Sequence, residues 1–295
     1  MTTSPPSIEE MRSIARRARR EIVRAVAQAK GGHLGGPLSA IDLLVALYFR
    51  ILDVRPDDPA WPERDRFILS KGHASIALYT VLALRGYFPL EELATFDAIE
   101  SRLQGHPDMT LTPGVDMSSG SLGLGFSAGI GMALAARLSG KAFTTCVMLG
   151  DGECNEGVVW EGAHVAERYA LGNLVAIVDY NRLQQTGWRG KDGTDRLPPY
   201  IGSQLKDRWS AFGWEVLEVD GHDMAAVVDV LGRAWLGGER PTVVIAHTIK
   251  GKGVSFMEED YLWHSRVPTD AELAAALEEL RDPPAGAEGG PNGLS

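Results

Sequence analysis

Two hydrophobic rhythms alternate along this chain. Met11, Ile14, Ala18, Ile22 and Ala25 recur at helical intervals behind a Ser7/Glu10 pair at capping-box separation, until Gly31-Gly32 stops the helix. A Gly-rich turn, "GGHLGGP", leads to a second helix with Pro37 near its start, where a missing N–H costs little. "KGHASIALYTVLALRGYF" reads as a turn and then a helix ending at Gly86, and residues 101–120 read as loop. "SLGLGFSAGIGMALAARLSG" predicts a helix whose small residues permit close packing, "EGVVWEGAHVAERYA" (156–170) another, and a third starts near Met224 with Asp223 as its cap.

Between these helices lie short apolar runs: "RFILS" (66–70), "AFTTCVML" (142–149), "NLVAIVDY" (173–180), "WEVLEVD" (214–220) and "TVVIAHT" (242–248). They are continuous rather than alternating, as expected of parallel strands covered on both faces. The pattern predicts an α/β fold, a doubly wound, mostly parallel sheet flanked by helices. One domain over 1–280 is expected, followed by a flexible Pro/Gly-rich tail over 281–295. There is no internal repeat.

Composition narrows the function classes. With 295 residues and 44% apolar content the chain can bury a substantial core, and a net charge of −10 argues against nucleic acid or an anionic membrane surface as main partner. An arginine cluster, Arg12, Arg16, Arg17, Arg19 and Arg20, falls in the first helical pattern and is expected to be a solvated helix face. Cys146 and Cys154 are too few and too close for a disulfide scaffold and lack metal-ligand spacing, which fits a reducing cytoplasm. No signal pattern opens the chain, and no apolar run approaches membrane-spanning length, so a soluble cytoplasmic protein is expected.

The chemistry concentrates in "GDGECNEGVVWEGAHVAERYALGNLVAIVDYNRLQQTG", residues 150–187. Asp151 and Asn181 follow two strands joined by a helix, at the carboxyl edge where open parallel sheets bind ligands. A carboxylate and an amide oxygen are hard donors, suited to Mg²⁺ or Ca²⁺ shared with phosphate oxygens. Gly150 and Gly152 let backbone approach a phosphate, and the next helix offers N-terminal amides. Gly-Asp-Gly alone is an ordinary strand-end turn; the second strand ending in Asp-Tyr-Asn-Arg tips the reading to a metal site.

A Gly-Asp-Gly followed after nearly thirty residues by Asn resembles the thiamine diphosphate motif, and the wording here is similar to transketolases from about residue 8 to about residue 270. The resemblance implies the thiamine diphosphate-binding fold, with Asp151, the Asn181 side chain and the Leu183 carbonyl as ligands of Mg²⁺ or Ca²⁺. It places Gly152 against the diphosphate, Gln185 near the cofactor, and Gly120, Ser121 and Leu122 of "SGSLGLG" in contact with it. Glu156 and Glu161 match carboxylates of a polar network between two active sites, although their spacing alone would make them solvated helix residues.

Of seven histidines, His33 and His73 sit in Gly-flanked turns at helix starts, where a capping or surface role is as open as a functional one. The resemblance makes both active-site histidines, with His73 at the cofactor. It adds His106 as a third, assisting proton transfer, and His264 as a contact of diphosphate and substrate. Lys250, otherwise an ordinary loop lysine, matches a cofactor-contacting one; His164, His222 and His247 have no such match and are expected to be structural. Two departures stand out: Leu-Gly-Gly follows His33 where many relatives carry Pro and a small polar residue, and Ser265-Arg266 replaces the usual Gly after His264. They bear on substrate preference, and a more basic rim would favour an anionic sugar.

The implied reaction moves a two-carbon ketol unit from a ketose, or its phosphate, to an aldose or its phosphate, with the cofactor as electron sink. The family's activating glutamate comes from a second, pyrimidine-binding domain that nothing after residue 270 could build. A separate C-terminal, pyrimidine-binding subunit and a heterotetramer are therefore expected. Alternatives are a 1-deoxyxylulose-5-phosphate synthase-like enzyme and a non-catalytic transketolase-like partner. A nicotinamide-binding enzyme is weaker, because no Gly-x-Gly-x-x-Gly opens the first strand-to-helix turn.

Overall fold

Ser7 accepts from the backbone of Glu10 while the Glu10 carboxylate accepts from the backbone of Ser7, so the capping box opens α1 (Ile8–Ala29) as the spacing predicts. The structure, a computed structural model, describes residues 5–185 and 199–282. Then come α2 (Gly35–Ala46), β1 (Arg66–Leu69), α3 (Ser75–Arg85), α4 (Leu124–Leu138), β2 (Thr145–Gly150), α5 (Gly157–Arg168) and β3 (Leu174–Tyr180). The chain continues through α6 (Pro199–Ala211), β4 (Glu215–Asp220), α7 (Met224–Trp235), β5 (Thr242–His247) and α8 (Asp270–Glu279). Asp223 caps α7 by accepting from the backbone of Ala225 and Ala226. A second capping box, Thr269 with Glu272, opens α8. Of the expected tail, residues 283–295 lie outside the described residues.

The five strands form one parallel sheet in the order β1-β2-β3-β5-β4. Alternate side chains divide its core. Cys146, Met148, Val175, Ile177, Val244 and Ala246 pack with residues of α1, α2, α3 and α7, while Val147, Leu149, Ala176, Val178, Val243 and Ile245 pack with α4, α5 and α6. Burial on both faces explains why the strand runs are continuous rather than alternating. β4 is the exception: at the sheet edge it keeps Glu215, Glu218 and Asp220 exposed. Gly129 of α4 sits directly on Val147 of β2, so a Cβ there would collide with the valine. That close approach is the packing which offsets the glycine content of α4.

The arginine cluster corrects one expectation. Arg12 is exposed, but Arg19 is buried: it binds both carboxylate oxygens of Asp42 on α2, at 3.1 and 2.6 Å, and donates to the Lys252 carbonyl. Arg20 donates to the Leu280 carbonyl, tying α1 to the end of α8. A run of arginines on a helix does not reveal that one of them faces a carboxylate buried on the next helix.

Because the chain runs outward from β1 to β3, places β4 at the edge and then inserts β5 between them, strand order reverses between β3 and β5. That is the point at which strand-end loops diverge and leave a crevice.

Candidate cofactor and active site

The parallel register pairs Gly150 with Asp179 and Tyr180 with His247, so Asp151 and Asn181 emerge side by side at the carboxyl edge, with Thr248 next to Asn181. A cavity of about 580 Å³ opens there, lined by residues from four strand ends and from the turns at 33–36 and 120–122.

Beneath it, Asp179 is fully buried in β3 and gathers four donors: the Lys71 ammonium, the Ser39 hydroxyl at 2.6 Å, the Thr248 hydroxyl and, at 3.5 Å, the Asn181 amide nitrogen. Burial alone would push this carboxyl up. Lys71 and the two hydroxyls outweigh that and hold it below the usual carboxylate range. Asn181 extends the same network, its Nδ2 lying 3.4 Å from the Ser39 hydroxyl.

Asp151 is in the opposite condition. Among the described residues its oxygens accept from backbone, Gly152 N–H at 2.8 Å and Arg182 N–H at 2.7 Å, and burial, reinforced by the Asp179 charge, pushes its carboxyl up to about 6. A buried carboxylate in that state is short of positive charge, which a divalent cation would supply. Asn181 Oδ1 accepts from the Leu183 N–H at 3.2 Å, and the Leu183 carbonyl accepts from Lys250 Nζ at 2.8 Å. One carboxylate, one amide oxygen and one carbonyl that already takes a cationic partner make a hard-donor set, one that fits Mg²⁺ or Ca²⁺. Among the described residues no group of three or more His, Cys, Asp or Glu is placed to hold a metal ion.

Glu153 is a site residue that sequence reasoning missed. Buried just past Gly152, it accepts from the Ser70 hydroxyl (2.5 Å), the Gly123 N–H (2.7 Å) and the Gly150 N–H (3.0 Å). One side chain thereby binds the end of β1, the turn before α4 and the end of β2. Gly123 needs its left-handed backbone here (φ 81°), and a Cβ would press on Val158.

Three imidazoles face one another across the cavity mouth, with ring centres 5.2 Å apart for His33–His73, 5.0 Å for His33–His264 and 5.2 Å for His73–His264. Burial, with the Lys71 and Lys250 ammoniums and the neighbouring rings, drives His73 far below the usual imidazole value and His264 down to about 3. Burial likewise lowers His33. All three are neutral at physiological pH, able to donate from one nitrogen and accept at the other. The buried Nδ1 of His264 has no hydrogen-bond partner among the described residues, the kind of atom that a bound polar group completes. Lys250 runs its stem over Gly35, where a Cβ would lie 2.7 Å from Cγ; this accounts for the glycine that departs from the expected turn.

Of the residues expected from sequence, His33, His73, His106, Gly120, Leu122, Asp151, Gly152, Asn181, Leu183, Gln185, Lys250 and His264 all line the cavity. His106 is exposed and packs beside Gly120. Glu156 is exposed at the lining, whereas Ser121 and Glu161 are exposed and outside it. Gln185 donates to the Tyr261 carbonyl at 3.3 Å. Lys71, Glu153, Asn155 and Gln184 line it too.

The profile described as "Transketolase, thiamine diphosphate binding domain" matches residues 11–281. The chain belongs to the transketolase family. It is 44% identical over 249 residues to a 6-deoxy-6-sulfo-D-fructose transketolase subunit of Clostridium sp. (strain MSTE9), covering 84% of this chain and 88% of that one. It is 40% identical over 275 residues to a subunit of the apulose-4-phosphate transketolase of Phocaeicola vulgatus, covering 93% and 95%. Like them, it is a transketolase subunit. The crystal structure of transketolase from Campylobacter jejuni superposes with a TM-score of 0.83 at 30% identity, over 93% of this chain and 43% of that longer one. The cavity therefore belongs to a thiamine diphosphate-binding domain, and no helix among the described residues is long and apolar enough to cross a membrane.

Proposed function

We propose that this transketolase subunit holds thiamine diphosphate and a divalent cation at the β2, β3 and β5 ends. It moves a two-carbon ketol unit from a ketose to an aldose once a separate pyrimidine-binding subunit closes the site, in a heterotetramer of the cytoplasm. The observation that carries the reading is the juxtaposition in one cavity of a cation-deficient carboxylate, two lysine ammoniums and three neutral imidazoles.

Asp151, Asn181 Oδ1 and the Leu183 carbonyl would hold Mg²⁺ or Ca²⁺. Gly152 leaves room for a phosphate beside them, since the nearest atoms to a Cβ at that position belong to Gln184 at 3.5 Å. Lys71 and Lys250 supply fixed positive charge toward the anion. Thiamine diphosphate, when bound, supplies the electron sink through which a carbon–carbon bond next to a carbonyl is broken and formed. His33, His73 and His264, kept neutral by their surroundings, orient substrate hydroxyls and take or return a proton at a ring nitrogen; His106 does the same from the exposed rim. Gly120 and Leu122 wall the cofactor, and Gln185, held by the Tyr261 carbonyl, borders it.

Both named relatives act on sugars that carry an anionic group, one a sulfonate and one a phosphate. An anionic sugar is the substrate class we assign here as well. Arg266, poised over the Trp263 ring at 4.4 Å and paired with Glu272, adds a cation next to His264. Mixing the chain with a candidate pyrimidine-binding subunit, thiamine diphosphate and Mg²⁺ should give ketol transfer between sugar phosphates. Full transfer by this chain alone would sink the two-subunit reading, and release of CO₂ from pyruvate in place of transfer would sink the ketol-transfer reading.

A further inference from the structure

His222 lies at the turn between β4 and α7, outside the cofactor cavity. Its two ring nitrogens face two different elements. Nδ1 lies 2.7 Å from Asp42 Oδ2 on α2, and Nε2 lies 2.8 Å from the backbone nitrogen of Ile249. An amide N–H can only donate, so Nε2 accepts, and the ring proton sits on Nδ1 and is given to Asp42. Asp42 is itself fixed by both guanidinium nitrogens of Arg19. The tautomer is thus set by an ion pair buried between α1 and α2.

Ile249 is the residue between two others that reach into the cofactor site. Thr248 gives its hydroxyl to Asp179, and Lys250 gives its ammonium to the Leu183 carbonyl. The turn they occupy is also pinned by Thr248 N–H to the Tyr180 carbonyl at 3.2 Å, Gly251 N–H to the Gly35 carbonyl at 3.0 Å and Glu259 N–H to the Lys250 carbonyl at 3.0 Å. The imidazole of His222 fills the space between, holding the Ile249 amide.

We propose that His222 is a positioning residue for thiamine diphosphate binding: through the Ile249 amide it sets where Lys250 and Thr248 stand. The inference rests on the assignment of this cavity to the cofactor. His222 touches neither cofactor nor substrate, so its removal should weaken cofactor binding and leave the catalytic rate at saturating cofactor close to that of the parent.

Two conservative variants separate this role from mere support of Asp42. His222→Gln places a carbonyl oxygen near the position of Nε2 and can still accept from Ile249. His222→Asn places its amide near Nδ1 and can still serve Asp42 while leaving Ile249 unmet. Thiamine diphosphate binding in the presence of Mg²⁺ is measured by calorimetry on the complex with the partner subunit, alongside kcat and the melting temperature of the cofactor-free complex. His222→Asn should bind thiamine diphosphate about tenfold more weakly, the scale of one lost hydrogen bond to a buried amide. His222→Gln should recover most of that, and kcat at saturation should stay within about twofold in both. Parent-like binding by His222→Asn, or rescue by Asn and not Gln, would overturn the proposal. A parent complex that fails to bind thiamine diphosphate would overturn the cofactor assignment itself, and the proposal with it.

Discussion

Lys71 and Asp179 offer a direct measure of how much the cofactor floor depends on one buried ion pair. Their side chains are 2% and 0% exposed, and they lie on different strand ends. Lys71→Met leaves the Asp179 carboxylate with the hydroxyls of Ser39 and Thr248 but without a cation, and stranding a buried charge costs about 3–5 kcal/mol. Asp179→Asn strands the ammonium at a similar cost. The double substitution removes both charges and forfeits hydrogen bonds worth about 1–2 kcal/mol in all. The singles therefore sum to about 6–10 kcal/mol against about 1–2 for the pair, a coupling of at least ~4 kcal/mol. Urea unfolding of the cofactor-free protein, followed by tryptophan fluorescence, reads all four corners of the cycle. The double variant should also fold well yet bind thiamine diphosphate poorly, because the ammonium facing the anion is gone. A coupling below about 1 kcal/mol would refute the reasoning. Because the Asp179 carboxyl is held below its usual value of 3.8, its contribution is intact at neutral pH. It is lost only as pH falls past that value.

Further outcomes follow from the same geometry. Asp151→Asn should abolish Mg²⁺-dependent cofactor binding while raising the melting temperature of the cofactor-free protein at neutral pH. The reason is that a carboxyl raised from 3.8 to about 6 opposes folding as pH climbs through that window; a lowered melting temperature that persists at acid pH would count against it. Glu153→Gln must turn an amide N–H₂ toward Gly150 or toward Gly123, and should destabilise by about 2–3 kcal/mol and weaken cofactor binding, as unfolding and calorimetry would show. His264 drops from 6.5 to about 3, so its neutral form is what the fold supports. That support is complete above 6.5 and is lost at up to about 1.4 kcal/mol per pH unit as acid is added. His264→Gln should flatten the stability–pH curve below that point, and an unchanged slope would contradict the burial argument.

The strands, their parallel sense and the placement of Asp151 beside Asn181 are legible in the sequence because each depends on local pattern: an apolar run, a turn residue, a register fixed by both faces being buried. Ser7, Glu10 and Asp223 are legible for the same reason, their partners lying within four residues. Lys71 and Asp179 are not, since they sit 108 positions apart. The signal that exists is an aspartate inside the apolar run "LVAIVDY", a place where a charge survives only if something answers it. Arg19 shows the same blindness in reverse: a helix face crowded with arginines looks wet, and only Asp42 on the neighbouring helix shows that one of them is dry. Glu153 follows the Gly-Asp-Gly motif openly, yet its three partners lie in three separate segments.

The cavity draws Lys71 from the end of β1, Asp151 from β2, Asn181 from β3 and Lys250 from beyond β5. Such a site has no existence in any fragment of the sheet; it appears only when β5, which follows the sheet's other four strands in sequence, has slotted between β3 and β4. A ligand that recognises it therefore recognises the completed sheet and nothing earlier. At a free concentration about a hundredfold above its dissociation constant, such a ligand deepens the folded basin by about 2.7 kcal/mol. In a cell, the vitamin-derived cofactor would then act as an inspector of assembly as well as a reagent, extending the lifetime of subunits that closed their sheet and leaving the others to proteolysis.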